Sequence, residues 1–296
     1  MMEDGRPRLA DVLAVIERLY PPSAAQSWDQ VGLVSGDPEQ PVGGILLAVD
    51  PTLAVLEEAH QQDADLIVTH HPLLLRGLHA APADEAKGRA LRTLITRNTA
   101  LYCAHTNADV AQDGVGDALA AACGLGPTDA LTISEGQELG RVGDLPEPVT
   151  LAALASTVAD RLPSTAGGVR VGGRPDALVR RVAVLAGAGD HAFAEVRACG
   201  ADVYVTSDLR HHPALEAREQ AHLAGGRPYL VDAGHYASEW LWLPLLARRL
   251  KRELSAVGLR LDLTISAVCT DPWDFVVTGG RADDDVRPSP IPRGTP

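Results

Sequence analysis

Ala64-Asp65-Leu66-Ile67-Val68-Thr69-His70-His71-Pro72 decides how this chain is read, because an apolar stretch of strand length runs straight into two adjacent histidines. A continuous apolar run of this kind suits a strand buried on both faces, the usual state in a parallel sheet. A matching stretch returns 137 residues later as Ala201-Asp202-Val203-Tyr204-Val205-Thr206, with Ser207-Asp208 where the histidine pair stood.

Outward from these two stretches the elements match. Before the first lies Gly43–Val49, another apolar run, closed by Asp50-Pro51-Thr52, which can cap a helix running to about Gln62. After it, the spacing predicts a helix over Glu85–Arg97 and a strand over Ala100–Ala104 that ends in His105. The second copy offers a strand at Arg181–Ala186, a Gly-rich turn at Gly187–Gly189 and a helix at Ala192–Cys199. A helix at Pro213–His222 and a strand at Tyr229–Asp232 follow. Leu9–Leu19 carries apolar residues at helical spacing and stops at Pro21-Pro22, so a helix opens the chain. Strands alternating with helices predict an α/β fold: two similar α/β lobes from an internal duplication, with a metal site in the cleft between them. The expected division is 1–126, 127–280 and a Pro- and charge-rich disordered tail at 281–296. Pro127–Asp176, rich in Pro and Gly, reads as the crossover between the lobes.

Each lobe places a histidine four residues before a carboxylate: His105-Thr-Asn-Ala-Asp109 and His235-Tyr-Ala-Ser-Glu239. Ligands of open α/β sheets gather beyond the carboxyl ends of strands, and His70-His71, His105 and His235 all fall there. Imidazole nitrogen and carboxylate oxygen suit Zn, Mn or Fe, and a carboxylate can bridge two ions. Adjacent His70 and His71 diverge, which favours service to different ions. Two divalent cations about 3.5–4 Å apart can activate a water and polarise a substrate together. A lone histidine at a strand end is ordinarily a hydrogen-bonding or surface residue; the paired repeat and the doublet together carry the metal reading.

Weaker signals remain. Asp208 and His212 are candidates for a substrate cleft, with a surface loop the alternative for His212. Gly187-Ala-Gly189-Asp190 resembles a small phosphate cradle, though such turns are generic. Asp113-Gly-Val-Gly-Asp117 is another such turn or a helix start. No P-loop motif is present, and Lys87 and Lys251 are the only lysines, which argues against Schiff-base chemistry. Trp240, Trp242, Leu243 and Leu246 read as the packed face of a helix.

The formal net charge of −13 argues against general nucleic-acid binding, which needs clustered positive charge. Hydrophobic residues make up 46% of 296, enough for packed cores, and with only 4% aromatic these cores must rely on Ala, Val and Leu. Cys103, Cys123, Cys199 and Cys269 form no C-x-x-C pair and read as reduced thiols. The charged N-terminus has no signal core, and no apolar run reaches about 18 residues, so neither export nor a membrane span is expected. A cytoplasmic protein is the resulting expectation.

Trp28-Asp29-Gln30-Val31-Gly32-Leu33, Thr69-His70-His71-Pro72, His105 to Asp109, Thr206-Ser207-Asp208 with His212, Asp232-Ala-Gly-His235-Tyr-Ala-Ser-Glu239 and Asp271-Pro272-Trp273 recur in this order in a known family. Over about residues 9–276 the chain resembles the GTP cyclohydrolase I type 2 homologs, also called Nif-three-like. The resemblance implies two α/β lobes, two metal ions and a toroidal homohexamer. By motif it implies His70, His71, Asp109, His235 and Glu239 as ligands, with His105 a further ligand or the catalytic acid–base group. Ser207 stands where many relatives have Gly, and the spacing between the lobes is too short for the inserted domain that some carry. The function implied is a metal-dependent hydrolase acting on a small molecule, a nucleotide or related heterocycle. A metal-binding scaffold or regulatory protein and a phosphoesterase are the alternatives.

Overall fold

The computed structural model describes residues 5–277; the tail read at 281–296 lies outside the described residues. Along the chain run α1 (Leu9–Leu19), β1 (Gly32–Ser35), β2 (Gly44–Ala48), α2 (Leu53–Gln61), β3 (Leu66–Thr69), α3 (Ala86–Thr96) and β4 (Ala100–Cys103). Then come α4 (Thr106–Val110), α5 (Val115–Ala122), β5 (Thr128–Ser134), β6 (Gln137–Thr150), α6 (Leu151–Ala159), β7 (Arg170–Gly172) and β8 (Leu178–Ala188). The last are α7 (Phe193–Ala198), β9 (Val203–Ser207), α8 (His211–Leu223), β10 (Tyr229–Asp232), α9 (His235–Trp240), α10 (Trp242–Ala256) and β11 (Asp262–Ile265). No described helix is long and apolar enough to cross a membrane.

The chain groups into two compact units. The first takes in the chain to Ala118, Ile133–Leu139 and Glu239–Thr270; the second takes in Leu119–Thr132, Gly140–Ser238 and the chain from Asp271. The first holds a sheet in the order β1-β4-β3-β2-β11. Its β11, β2, β3 and β4 run parallel to one another, and β1 pairs antiparallel with β4. All residues of β3 and β4 are buried, as their unbroken apolar runs require. Leu46, Ala48, Ile67 and Leu101 pack with Val55, Leu56 and Ala59 of α2 and Ala90 and Leu94 of α3. Alternation sends Ile45, Leu47, Leu66 and Val68 to the other face. There α10 meets β2 and touches α1 through a stripe of Trp242, Leu243, Leu246, Leu250 and Leu254, all buried. Each such side chain stabilises the fold by roughly 1.5–3 kcal/mol.

The second unit holds a sheet in the order β5-β6-β8-β9-β10-β7. Its β8, β9 and β10 are parallel, flanked by antiparallel β6 and β7. One device recurs in both units. Asp65 Oδ2 accepts from Gly43 N at 2.6 Å and more weakly from Gly44 N at 3.4 Å, tying the start of β3 to that of β2. Asp202 Oδ2 accepts from Arg180 N and Arg181 N at 2.7 and 3.0 Å and ties β9 to β8.

The stretch 127–176, read from its Pro and Gly as a crossover, instead forms β5, β6, α6 and β7. Two of its five prolines sit where the ladder breaks: the β6–β8 register shifts between Asp144 and Val149, which brackets Pro146 and Pro148. Its Gly140 has φ +64°, and a Cβ there would lie 2.8 Å from Val184 O. Those residues mark irregularities inside a sheet, not a linker.

Candidate metal centre

Where β3 ends, the chain does not swing free. His70 N and His71 N still donate to Ala48 O and Val49 O at 3.2 and 2.8 Å, and Thr69 Oγ1 donates to His71 O at 2.8 Å. Both imidazoles are thereby aimed from a pinned backbone. His105 caps α4, whose Asp109 N donates to His105 O at 3.1 Å, so histidine and carboxylate stand one turn apart. Glu239 sits in α9, buried, as is His70.

These side chains of the first unit converge. His70 Nε2 lies 3.5 Å from Glu239 Oε1 and 3.7 Å from Asp109 Oδ1, and His71 Nε2 lies 3.1 Å from Glu239 Oε2. One ring nitrogen each from His70, His71 and His105 fall within 4.8 Å of one another. Donors about 2.0–2.2 Å from a single tetrahedral cation would stand about 3.3–3.6 Å apart. The 3.5 Å between His70 and Glu239 falls in that range, the 3.7 Å between His70 and Asp109 lies just above it, and Glu239 turns one oxygen toward each histidine of the doublet. The donor set fits a divalent cation.

The far side of each ring is tied down. His70 Nδ1 donates to Ala104 O at 3.0 Å. His71 Nδ1 meets Asp50 Oδ1 at 2.7 Å, and Asp50 also accepts from the Thr270 hydroxyl. His105 Nδ1 meets Asp29 Oδ1 at 2.9 Å, while Asp29 Oδ2 accepts from Thr106 N and Thr106 Oγ1 at 3.1 and 2.6 Å. In the second unit His235 Nδ1 meets Asp208 Oδ2 at 2.8 Å. A neutral imidazole protonated at Nδ1 carries its lone pair at Nε2, the arrangement a metal-binding histidine needs.

The electrostatics agree. Burial alone would lower the proton affinity of His70 and His71, but Glu239 overrides it, with Asp109 for His70 and Asp50 for His71, and both are raised. Burial raises Asp109, with the nearby Glu239 charge adding to it. Burial also works against ionised Asp29, yet the His105 and Thr106 hydrogen bonds hold its carboxyl far below the usual range. Carboxylates crowded against imidazoles in this way form a setting whose negative charge protons or a cation can offset.

The other sequence candidates resolve as follows. Asp208 adopts φ +52° and holds His235. Ser207 stays in β9, its Oγ 3.1 Å from Ser238 Oγ, so the left-handed residue of that turn is Asp208 and no glycine is needed before it. His212 is exposed in the first turn of α8 beside His211, their ring centroids 5.1 Å apart. The Gly187–Asp190 turn is no open phosphate cradle, since Gly187 N donates to Ser238 Oγ and Gly189 N to Ser207 O. Trp242 is packed, its Nε1 donating to Tyr20 Oη at 3.2 Å. Sequence reading missed Asp29 and Asp50 as the groups that orient His105 and His71. Asp50 stands two residues before the true helix cap, Thr52, and was absorbed into that role.

A "GTP cyclohydrolase 1 type 2 homolog" of Streptomyces coelicolor is 47% identical over 272 residues, covering 90% of this chain and 94% of that protein. A protein of the same name from Mycobacterium bovis is 33% identical, covering 93% and 98%. Its alignment spans 383 positions against 296 residues here, so it contains residues with no counterpart in this chain. A crystal structure of a Bacillus cereus protein related to NIF3 superimposes with a TM-score of 0.83 at 26% identity, covering 92% of this chain and 99% of that one. The family model for Duf34/NIF3 (NGG1p interacting factor 3) matches residues 7–272, and the chain belongs to that family.

Proposed function

We propose that this protein is a hydrolase that works with two divalent cations, Zn, Mn or Fe, on a nucleotide or related heterocycle. The observation that supports it best is the outer tie on every candidate imidazole: His70, His71, His105 and His235 each engage an oxygen through Nδ1. His70, His71, Asp109, His235 and Glu239 would hold the cations. His235 and Glu239, four residues apart on α9, share one helix face. Such a pair of cations supplies Lewis-acid polarisation and water activation at neutral pH. His105, fixed by Asp29, would take and return a proton at Nε2.

The substrate class follows the relatives' name, GTP cyclohydrolase 1 type 2 homolog. The same reading takes the chain as a duplication, with lobes at 1–126 and 127–280. The matched clamps of Asp65 and Asp202 support this. It places the protein in the cytoplasm as a homohexamer.

The test is a screen of protein loaded in turn with Zn, Mn and Fe(II) against GTP, other nucleotides and phosphoesters, with Glu239→Gln as control. Formate release from GTP supports the proposal, whereas orthophosphate release replaces it with a phosphoesterase. Stoichiometric metal without turnover, together with one consistently captured protein partner, replaces it with a metal-binding scaffold.

A further inference from the structure

We infer that Trp28 is a preformed stacking platform for a flat heteroaromatic ring, at the rim of the His70–His71–His105 cluster. The indole is 53% exposed. Exposure here does not mean freedom. Its Nε1 donates to Gln26 Oε1 at 2.7 Å, and Gln26 N donates to Thr106 Oγ1 at 3.0 Å. Next to it, Ser27 N and Ser27 Oγ both donate to the Glu135 carboxylate, at 2.8 and 2.9 Å. On the other side Asp29 is locked onto Thr106. Every residue from 26 to 29 is therefore fixed by a side-chain hydrogen bond, although the ring itself is left in solvent.

Position gives this rigidity a use. The indole meets the His105 ring edge-to-face at 5.8 Å between centroids, and His105 lies 5.2 and 5.5 Å from the rings of His70 and His71. The platform is one ring removed from the candidate metal ligands. A rigid exposed aromatic binds with little loss of conformational freedom, and every nucleobase offers a π-face to it. Ring stacking thus selects planar heterocycles, while the polar cluster behind selects the bond to be attacked. This inference names the substrate class of the proposed hydrolase and rests on that reading.

The test uses the full chain loaded with zinc and calorimetric titration with guanosine, adenosine, uridine and, as a ring-free control, ribose. The expected result is that nucleosides bind and ribose does not. Trp28→Leu should weaken guanosine binding roughly 5- to 150-fold, the range of one base–aromatic stack, while Trp28→Phe retains most of it. Zinc content should not change in either variant. Equal guanosine affinity in the Leu and Phe variants, or no nucleoside binding to the unaltered protein, overturns the inference. So does a shift in assembly size by sedimentation with unchanged guanosine affinity, which would make a second copy of the chain the occupant. Repeating the titration after EDTA separates the two readings. Guanosine binding by a protein that never takes up zinc leaves the platform standing and removes the metal centre; stoichiometric zinc without nucleoside binding does the reverse.

Discussion

Glu239 Oε2 stands 3.1 Å from His71 Nε2, and this contact sets a competition between a proton and a cation. His71 holds its proton more tightly than a free imidazole, because the carboxylates of Glu239 and Asp50 outweigh the burial that disfavours its charge. A cation needs the bare Nε2, so it must displace that proton. Zinc uptake between pH 6 and 8 should release at least one proton per site, and zinc affinity should rise about tenfold per pH unit for each proton released. Calorimetry in two buffers of different ionisation enthalpy counts these protons; pH-independent uptake would contradict the His71 assignment.

Glu239→Gln should lose one or both metals while remaining folded, because a carboxamide is a poor bridging ligand. Elemental analysis beside circular dichroism decides it. Unchanged metal content in a folded variant would remove Glu239 from the ligand set.

Asp50→Asn should leave the fold intact and weaken metal binding about 10- to 100-fold, the usual effect of losing an outer partner of a ligating imidazole. Asp50 holds His71 at 2.7 Å, so the loss should appear as faster metal release to a chelator. An unchanged release rate would show that His71 orients itself without Asp50.

Asp29→Asn tests stability. The folded carboxyl titrates below the unfolded one, so its ionised form contributes in full above the unfolded value, near 3.9. That contribution drains away as pH falls toward the lowered folded value. Wild type should exceed the variant by about 1.5–3 kcal/mol at pH 7, the scale of hydrogen bonds to a charged group. The gap should narrow below about pH 4. Urea denaturation at pH 7 and pH 3 gives both numbers, and a gap that does not narrow would mean Asp29 acts without its charge.

The thiols should separate by burial. Cys103 and Cys123 are buried, and burial pushes both up, Cys123 to about 12, so neither offers thiolate at pH 8. A colorimetric thiol reagent should label Cys269 quickly and Cys199 slowly in native protein, and all four cysteines after denaturation. Fast labelling of Cys103 in the native state would show that β4 opens.

Local chemistry made much of this protein legible from its letters. The apolar runs of β2, β3 and β4, the amphipathic α1 and the Thr52 cap each depend on residues within a few positions, and they formed where the spacing placed them. The four-residue strands β1 and β11 escaped notice, because a short edge strand borrows its ladder from a distant neighbour. Proline misled at β6, where a break in register, invisible locally, makes room for it.

The donor atoms, too, were readable, since imidazoles and carboxylates past strand ends announce themselves by type and spacing. What only the tertiary structure decided is which nitrogen each histidine presents. That depends on partners 21 residues away for His71, 34 for His70 and 76 for His105. A hydrogen bond needs an acceptor within about 3 Å, and sequence distance carries no information about that separation until the sheet has closed it.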